Sequence, residues 1–344
     1  MKKYLDLEGL THLHKKMQAG LAGKQDCLAG LPGELLGFGA DGRPISRRPC
    51  MADIAGGSGC NLLDNAYWAR RDAIVNQRAK NEYAVKGYTI DRFQANSANV
   101  AVKLNDKSMT IENRGGDVYL FQEKVEGLDG IMGQEATLSV LTEGGSLCTS
   151  SGVIPHITGE APLLQAVSTD ERKYQAELYA GGEDLAANIF SFRFLMMPHQ
   201  SESFQAVKLE LGPVQTLARQ NAAGRWELSD PPPNQALELA KCQRYYRIIE
   251  NVNAAVGAEV QNERYLTSSV SFGSMRVAPA VSLGKEGEHV GVVHGVQYLK
   301  PTELGIVSVT KSGVTLYLPT TAAAGANVAG KAASIYKIML DANL

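Results

Sequence analysis

Apolar residues Leu10, Leu13, Met17 and Leu21 recur every three or four positions with Lys15, Lys16 and Gln18 between them. This spacing predicts a short N-terminal helix over residues 1–22. A helix that short is marginal alone in water, so its stripe must pack on its own domain or on further copies of the chain. The pattern then lapses. Glycines from Gly20 to Gly42, prolines 32, 44 and 49 and the run Gly56-Gly57-Ser58-Gly59 mark residues 23–59 as a Gly/Pro-rich linker or an extended, intertwined segment.

From Asn61 the period shortens to two. Short β-rich stretches follow one another: 83–90, 99–104, 108–112, 117–125, 136–142, 163–167, 173–179, 188–196 and 204–211. Gly, Asn and Asp separate them, and Asn105-Asp106-Lys107 has the composition of a hairpin turn. No helix-length periodic segment interrupts the series, which argues against a parallel α/β sheet and for an antiparallel β-sandwich over residues 60–229. Pro231-Pro232-Pro233 then suit a helix start, and 235–250 has high helical propensity, so residues 230–256 read as a connecting helix. Strand-like stretches resume at 267–272, 280–283, 289–293, 305–309, 314–318 and 335–341, predicting a smaller C-terminal β-sandwich over 257–344. The fold class expected is mainly β.

Composition narrows the function classes. The 344 residues carry 34 basic and 36 acidic side chains, a net charge of −2, which argues against nucleic acid as a partner. Residues 61–246 hold 18 basic and 23 acidic groups, and that mildly acidic middle favours a neutral or basic ligand over a polyanion. No run of eighteen apolar residues occurs, so no membrane insertion is expected, and the opening MKKYLDLEGL lacks a signal-peptide core. Cys27, Cys50, Cys60, Cys148 and Cys242 are scattered and odd in number, which points to a reducing site of synthesis rather than a disulfide framework.

Catalytic motifs are missing: there is neither a GxSxG nor a phosphate-cradling glycine loop. His12 and His14 would diverge on a helix, and His289 and His294 fall on opposite faces of a strand. No metal site and no cofactor are expected, and enzyme activity has no positive support. Glycan binding leaves weaker marks, aromatic rings beside polar side chains. Trp68 and Trp226 lie in polar stretches, and Tyr119 and Tyr179 lie on expected strands; these four are the candidate glycan-binding residues, each with core packing as its ordinary alternative.

Several stretches together carry a resemblance. Asn61-Leu62-Leu63-Asp64-Asn65, Val75-Asn76-Gln77-Arg78 and Gly87-Tyr88-Thr89-Ile90-Asp91-Arg92-Phe93 resemble the entry to a jelly-roll domain of carbohydrate-binding-module type. Such domains occur in tail fibre and receptor-binding proteins of bacteriophages and prophages, often with Trp at the position of Phe93. Val207–Gly212 with Thr216 looks like the final strand of that domain. Leu237–Tyr246, with its Cys242-Gln243-Arg244-Tyr245-Tyr246, is similar to the helical segment that follows. Met275–Pro279 and Ile338–Leu344 resemble the terminal β domain, and Lys3–Asp6 with Gly9-Leu10-Thr11 looks like a tail fibre start.

The resemblance implies a non-enzymatic phage tail fibre or receptor-binding protein of the virion tail, synthesised in the host bacterial cytoplasm. A homotrimer would bind a bacterial surface glycan and other tail or baseplate proteins. A tailspike depolymerase and a ligand-free structural tail component are the alternatives. The resemblance transfers no ligand residue. Asp91-Arg92 is expected to make a buried or edge ion pair fixing its strand, and Cys242–Tyr246 to pack between domains.

Overall fold

In the computed structural model the described residues are 35–38, 44–47, 60–116, 119–125, 132–155, 161–169, 173–180, 190–256, 263–284, 291–293, 297–301, 305–321 and 332–342. The chain divides into two compact units, Met1–Leu62 and Leu63–Leu344. In the first, β1 (Leu35–Phe38) and β2 (Pro44–Arg47) pair antiparallel, so a hairpin stands inside the stretch expected to be a linker. The expected helix over 1–22, with His12 and His14, lies outside the described residues.

The second unit is built from antiparallel strands. Its first part holds β3 (Glu82–Tyr83), β4 (Gly87–Tyr88), β5 (Gln94–Ala95), β6 (Val100–Leu104), β7 (Met109–Asn113) and β8 (Tyr119–Val125). It continues with β9 (Glu135–Thr142), β10 (Leu147–Val153), β11 (Ala161–Val167), β12 (Tyr174–Ala180), β13 (Phe190–Met196) and β14 (Ser201–Leu211). They form two six-stranded sheets: sheet I in the order β10-β9-β14-β7-β6-β3, and sheet II in the order β11-β12-β13-β8-β5-β4. The chain is mainly β and of the β-sandwich class. Two-residue alternation builds its core, because successive side chains leave opposite faces of a strand. On β13, Phe190, Phe192, Phe194 and Met196 are buried. The rings of Tyr174 and Phe194 from sheet II lie 4.8 and 4.6 Å from that of Phe204 on sheet I, so aromatic packing closes the two sheets on each other.

The outer face of sheet I is covered over β9 and β14. The hairpin of β15 (Ala218–Gln220) and β16 (Trp226–Leu228) is joined to the sheet by a small core of Leu141, Ala206, Leu217 and Ala218. Lys208 and Glu210 are buried on that covered face. Lys208 Nζ meets Asp230 Oδ2 at 2.7 Å, Thr216 Oγ1 at 2.7 Å and Glu210 Oε2 at 3.5 Å. Burial on both faces explains why β9 shows no apolar–polar alternation in exposure.

Helix α1 (Gln235–Cys242) starts where Asn234 Oδ1 accepts from the amides of Ala236 and Leu237, just past the prolines. It ends eight residues short of the expected Glu250. From Tyr246 the chain is strand β17 (Tyr246–Val256), because β24 (Ala332–Asp341) pairs along it and β-branched Ile248, Ile249 and Val252 suit a sheet. The remaining strands are β18 (Glu263–Ser271), β19 (Ala280–Leu283), β20 (Gly291–Val293), β21 (Gln297–Pro301), β22 (Gly305–Thr310) and β23 (Gly313–Thr321). One eight-stranded sheet results, ordered β19-β24-β17-β18-β23-β21-β20 with β22 also on β23, over a core of Met275, Leu316, Ile335, Ile338 and Leu340.

Candidate functional site

The four aromatic candidates do not form one cluster. Trp68 is fully buried; its ring packs against Phe93 and Phe194, and its indole N–H donates to Asn65 O at 2.8 Å. A sugar needs an exposed ring face, so Trp68 is corrected to a core residue. The cause is long-range pairing: Trp68 N donates to Gln205 O and Tyr67 bridges Ala206, which draws the segment onto β14 and turns the indole inward. Trp226 is partly buried against the small core that holds the β15–β16 hairpin on sheet I. Tyr119 stands in register with Met196, and its side chain lies outside the described residues. Tyr179 is partly exposed on β12, and the Arg193 guanidinium lies 3.5 Å from its ring centre.

The stretches at 61–65, 75–78, 87–93, 237–246, 275–279 and 338–342 converge on one junction between the sandwich and the C-terminal sheet, while 207–212 with Thr216 belongs to sheet I and Lys3–Thr11 lies outside the described residues. Asn65 organises the junction. Its side chain accepts from Val75 N and donates to the carbonyls of Val75 and Asp91, each at 2.8 Å, and its own amide donates to Glu238 Oε2 on α1. Asp91 accepts from Gln77 N at 2.6 Å and pairs with Arg78 at 3.5 Å. Arg92 pairs with Asp64 at 3.2 Å and donates to Lys124 O. So Asp91 and Arg92 each make an ion pair, with different partners.

Arg78 stacks on Tyr246 at 3.7 Å and Arg92 on Tyr245 at 3.3 Å, while Gln77 Nε2 donates to Tyr246 O. Arg276 N donates to Arg244 O, and Ala342 N to Tyr245 O, tying in both C-terminal stretches. Burial dominates the electrostatics. It raises Asp91 above the ordinary carboxylate value, raises Tyr246, and lifts the buried Cys242 thiol well above its usual value. Tyr88, beside Arg78, is pushed up to about 12, again chiefly by burial. Asp64, Arg78, Asp91 and Arg92 are all partnered from within, so the chemistry here holds the molecule together.

The outer face of sheet II differs. Pairing places Gln165, Glu177, Arg193, Gln122 and Gln94 in one register row across β11, β12, β13, β8 and β5. Alternation puts this row on the face opposite the core residues Leu164, Ala176, Leu178, Phe192 and Phe194. Gln165 Nε2 donates to Glu177 Oε1 at 2.6 Å and to Gln175 Oε1 at 3.1 Å. Arg193 faces Glu177 in register, yet its guanidinium lies over Tyr179, and its buried Nε has no hydrogen-bond partner. A buried donor left unpaired costs about 1–3 kcal/mol, so it marks either strain or a place for a ligand acceptor. Among the described residues the other such atom is Ser139 Oγ, on the covered face of sheet I.

No protein-family model matches the chain, and no curated protein matches it at a significant level. Among the described residues no group of three or more His, Cys, Asp or Glu is placed to hold a metal ion, and no helix is long and apolar enough to cross a membrane. Of the residues gathered on this face, Tyr179 was among the sequence candidates, and Glu177, Arg193 and Gln165 were not. Their signal was a polar residue flanked on each side by an apolar one, as in Phe192-Arg193-Phe194. What joins them is register, which one strand's sequence does not carry.

Proposed function

We propose that the chain is a non-enzymatic receptor-binding protein of the phage tail fibre type, which adheres to a bacterial surface glycan through the outer face of sheet II. The arrangement of Arg193 over Tyr179 beside the Gln165–Glu177 pair carries this reading. It combines an aromatic ring with donors and acceptors aligned across neighbouring strands, the mixture that fixes a ligand's orientation in a binding site. The repeated passage of the chain between sheets I and II supports a jelly-roll topology. A homotrimer carrying three such faces on a virion tail would gain avidity of roughly 10²–10⁴ without new contacts, provided all three engage one surface.

The test is a glycan array and whole-cell adherence assay with the intact chain and with Tyr179→Ala, alongside a reducing-end assay on retained polysaccharide. Adherence that the substitution weakens, with no oligosaccharide released, is expected. Released oligosaccharide would replace this reading with a depolymerase, and no adherence with a structural tail component.

A further inference from the structure

We infer that the sheet II row takes an uncharged, polyhydroxylated chain, with Glu177 and Arg193 sharing adjacent hydroxyls of one sugar; this rests on the glycan-binding reading above. Glu177 and Arg193 are direct Cα partners on β12 and β13, an arrangement in which opposite charges ordinarily bridge. They make no ion pair with each other, because each is drawn elsewhere. Tyr179 holds the guanidinium at 3.5 Å from its ring centre, and the Gln165 amide holds the carboxylate at 2.6 Å. Both therefore keep unfilled capacity: a guanidinium has five N–H donors and no acceptor, and a carboxylate has about four lone-pair sites and no donor.

A sugar hydroxyl complements both at once, since it accepts from Arg193 and donates to Glu177. An anionic group at this point meets the Glu177 carboxylate, which is only 7% exposed, and a cationic group meets Arg193. Either ligand gains from one neighbour and is opposed by the other at reduced solvation. The rest of the row agrees. Gln165 and Gln94 in the row, and Gln175 two residues before Glu177 on the same face of β12, bear amides that donate and accept, so these groups together with Glu177 and Arg193 carry no net charge. With strands about 4.8 Å apart, five of them span roughly 19 Å, enough for several sugar units lying across the strands.

The experiment is affinity electrophoresis of the full chain through dextran and galactan as neutral probes, alginate and hyaluronan as acidic ones, and chitosan as a basic one. Each is run at low and high salt. The expected result is retention by a neutral polymer that salt does not weaken. Glu177→Gln and Arg193→Gln should each reduce it by roughly tenfold to a hundredfold, the effect of losing hydrogen bonds to a charged partner. Glu177→Gln keeps an acceptor for Gln165, and circular dichroism checks its fold; should it unfold, Arg193→Gln at its partly exposed position carries the test. Retention confined to charged polymers and fading with salt overturns the inference and leaves glycan binding standing. Neutral retention untouched by both substitutions moves the site elsewhere and overturns it too. Retention by none of the five sinks the inference and the glycan reading together.

Discussion

Asp91 is a residue at which burial and pairing pull in opposite directions. Burial raises its carboxyl, while the Gln77 amide and Arg78 offset part of the shift. A carboxyl raised in the native state keeps its proton at a pH where the unfolded chain has lost it. Its contribution to stability is therefore full below the unfolded value of about 3.9 and declines as pH rises through the native value. The stability of the natural chain relative to Asp91→Asn should fall as pH climbs above about 3.9, followed by urea unfolding at each pH. A relative gain over that range would mean that Arg78 outweighs burial. Ala79 is strained for another reason: it has φ +55 in the turn that its amide closes onto Asn76 O. A left-handed alanine costs about 1–2 kcal/mol, and glycine gives back about 0.5–1 kcal/mol as backbone entropy. Ala79→Gly should thus leave stability unchanged or raise it by up to about 1 kcal/mol, and a loss on chemical denaturation would place the strain elsewhere.

At the scale of elements, the β15–β16 hairpin shows how a sheet face is closed without an all-apolar contact. Leu217 and Ala218 supply a small core, and Lys208 supplies the cation that Glu210 and Asp230 share. Glu210 has almost no exposed side chain. Lys208→Met would leave that carboxylate buried without its charge partner, at a cost of about 3–5 kcal/mol. The denaturation midpoint should drop accordingly, and a shift worth less than about 1 kcal/mol would mean that water reaches the pair. Helix α1 illustrates the opposite limit of local information. Its start was legible in the prolines, yet its end at Cys242 was not, because helical propensity continues and only pairing with β24 makes residues 246–256 a strand.

At the scale of the molecule, the Leu63–Leu344 unit contains two cores, one between sheets I and II and one on the C-terminal sheet, with Arg–Tyr stacks and the Gln77–Tyr246 hydrogen bond joining them. The junction should make both parts melt together. Arg78→Ala combined with Tyr245→Ala removes both close stacks and the Asp91 pair, and calorimetry should then resolve two transitions in place of one. A single transition at lower temperature would assign the coupling to Asn65 and its bond to Glu238 instead. The stretches at 61–65, 75–78, 87–93 and 237–246 thus mark the structural joint, and one of them reaches the face proposed to bind, where Tyr88 stands in register with Gln94.

Taken alone, the sequence determined the mainly β class, the turn at residues 105–107, most strand positions and the proline-marked start of α1. These follow from two-residue alternation, turn chemistry and the restricted backbone of proline, all of which act over a few neighbouring residues. Tertiary structure alone decided that Trp68 is core, that sheet I is roofed by its own hairpin, and that Gln165, Glu177 and Arg193 stand in one row. Each of those outcomes depends on which strand pairs with which and in what register. That choice is made by burial of the whole set of apolar faces at once, and no local stretch of chain encodes it.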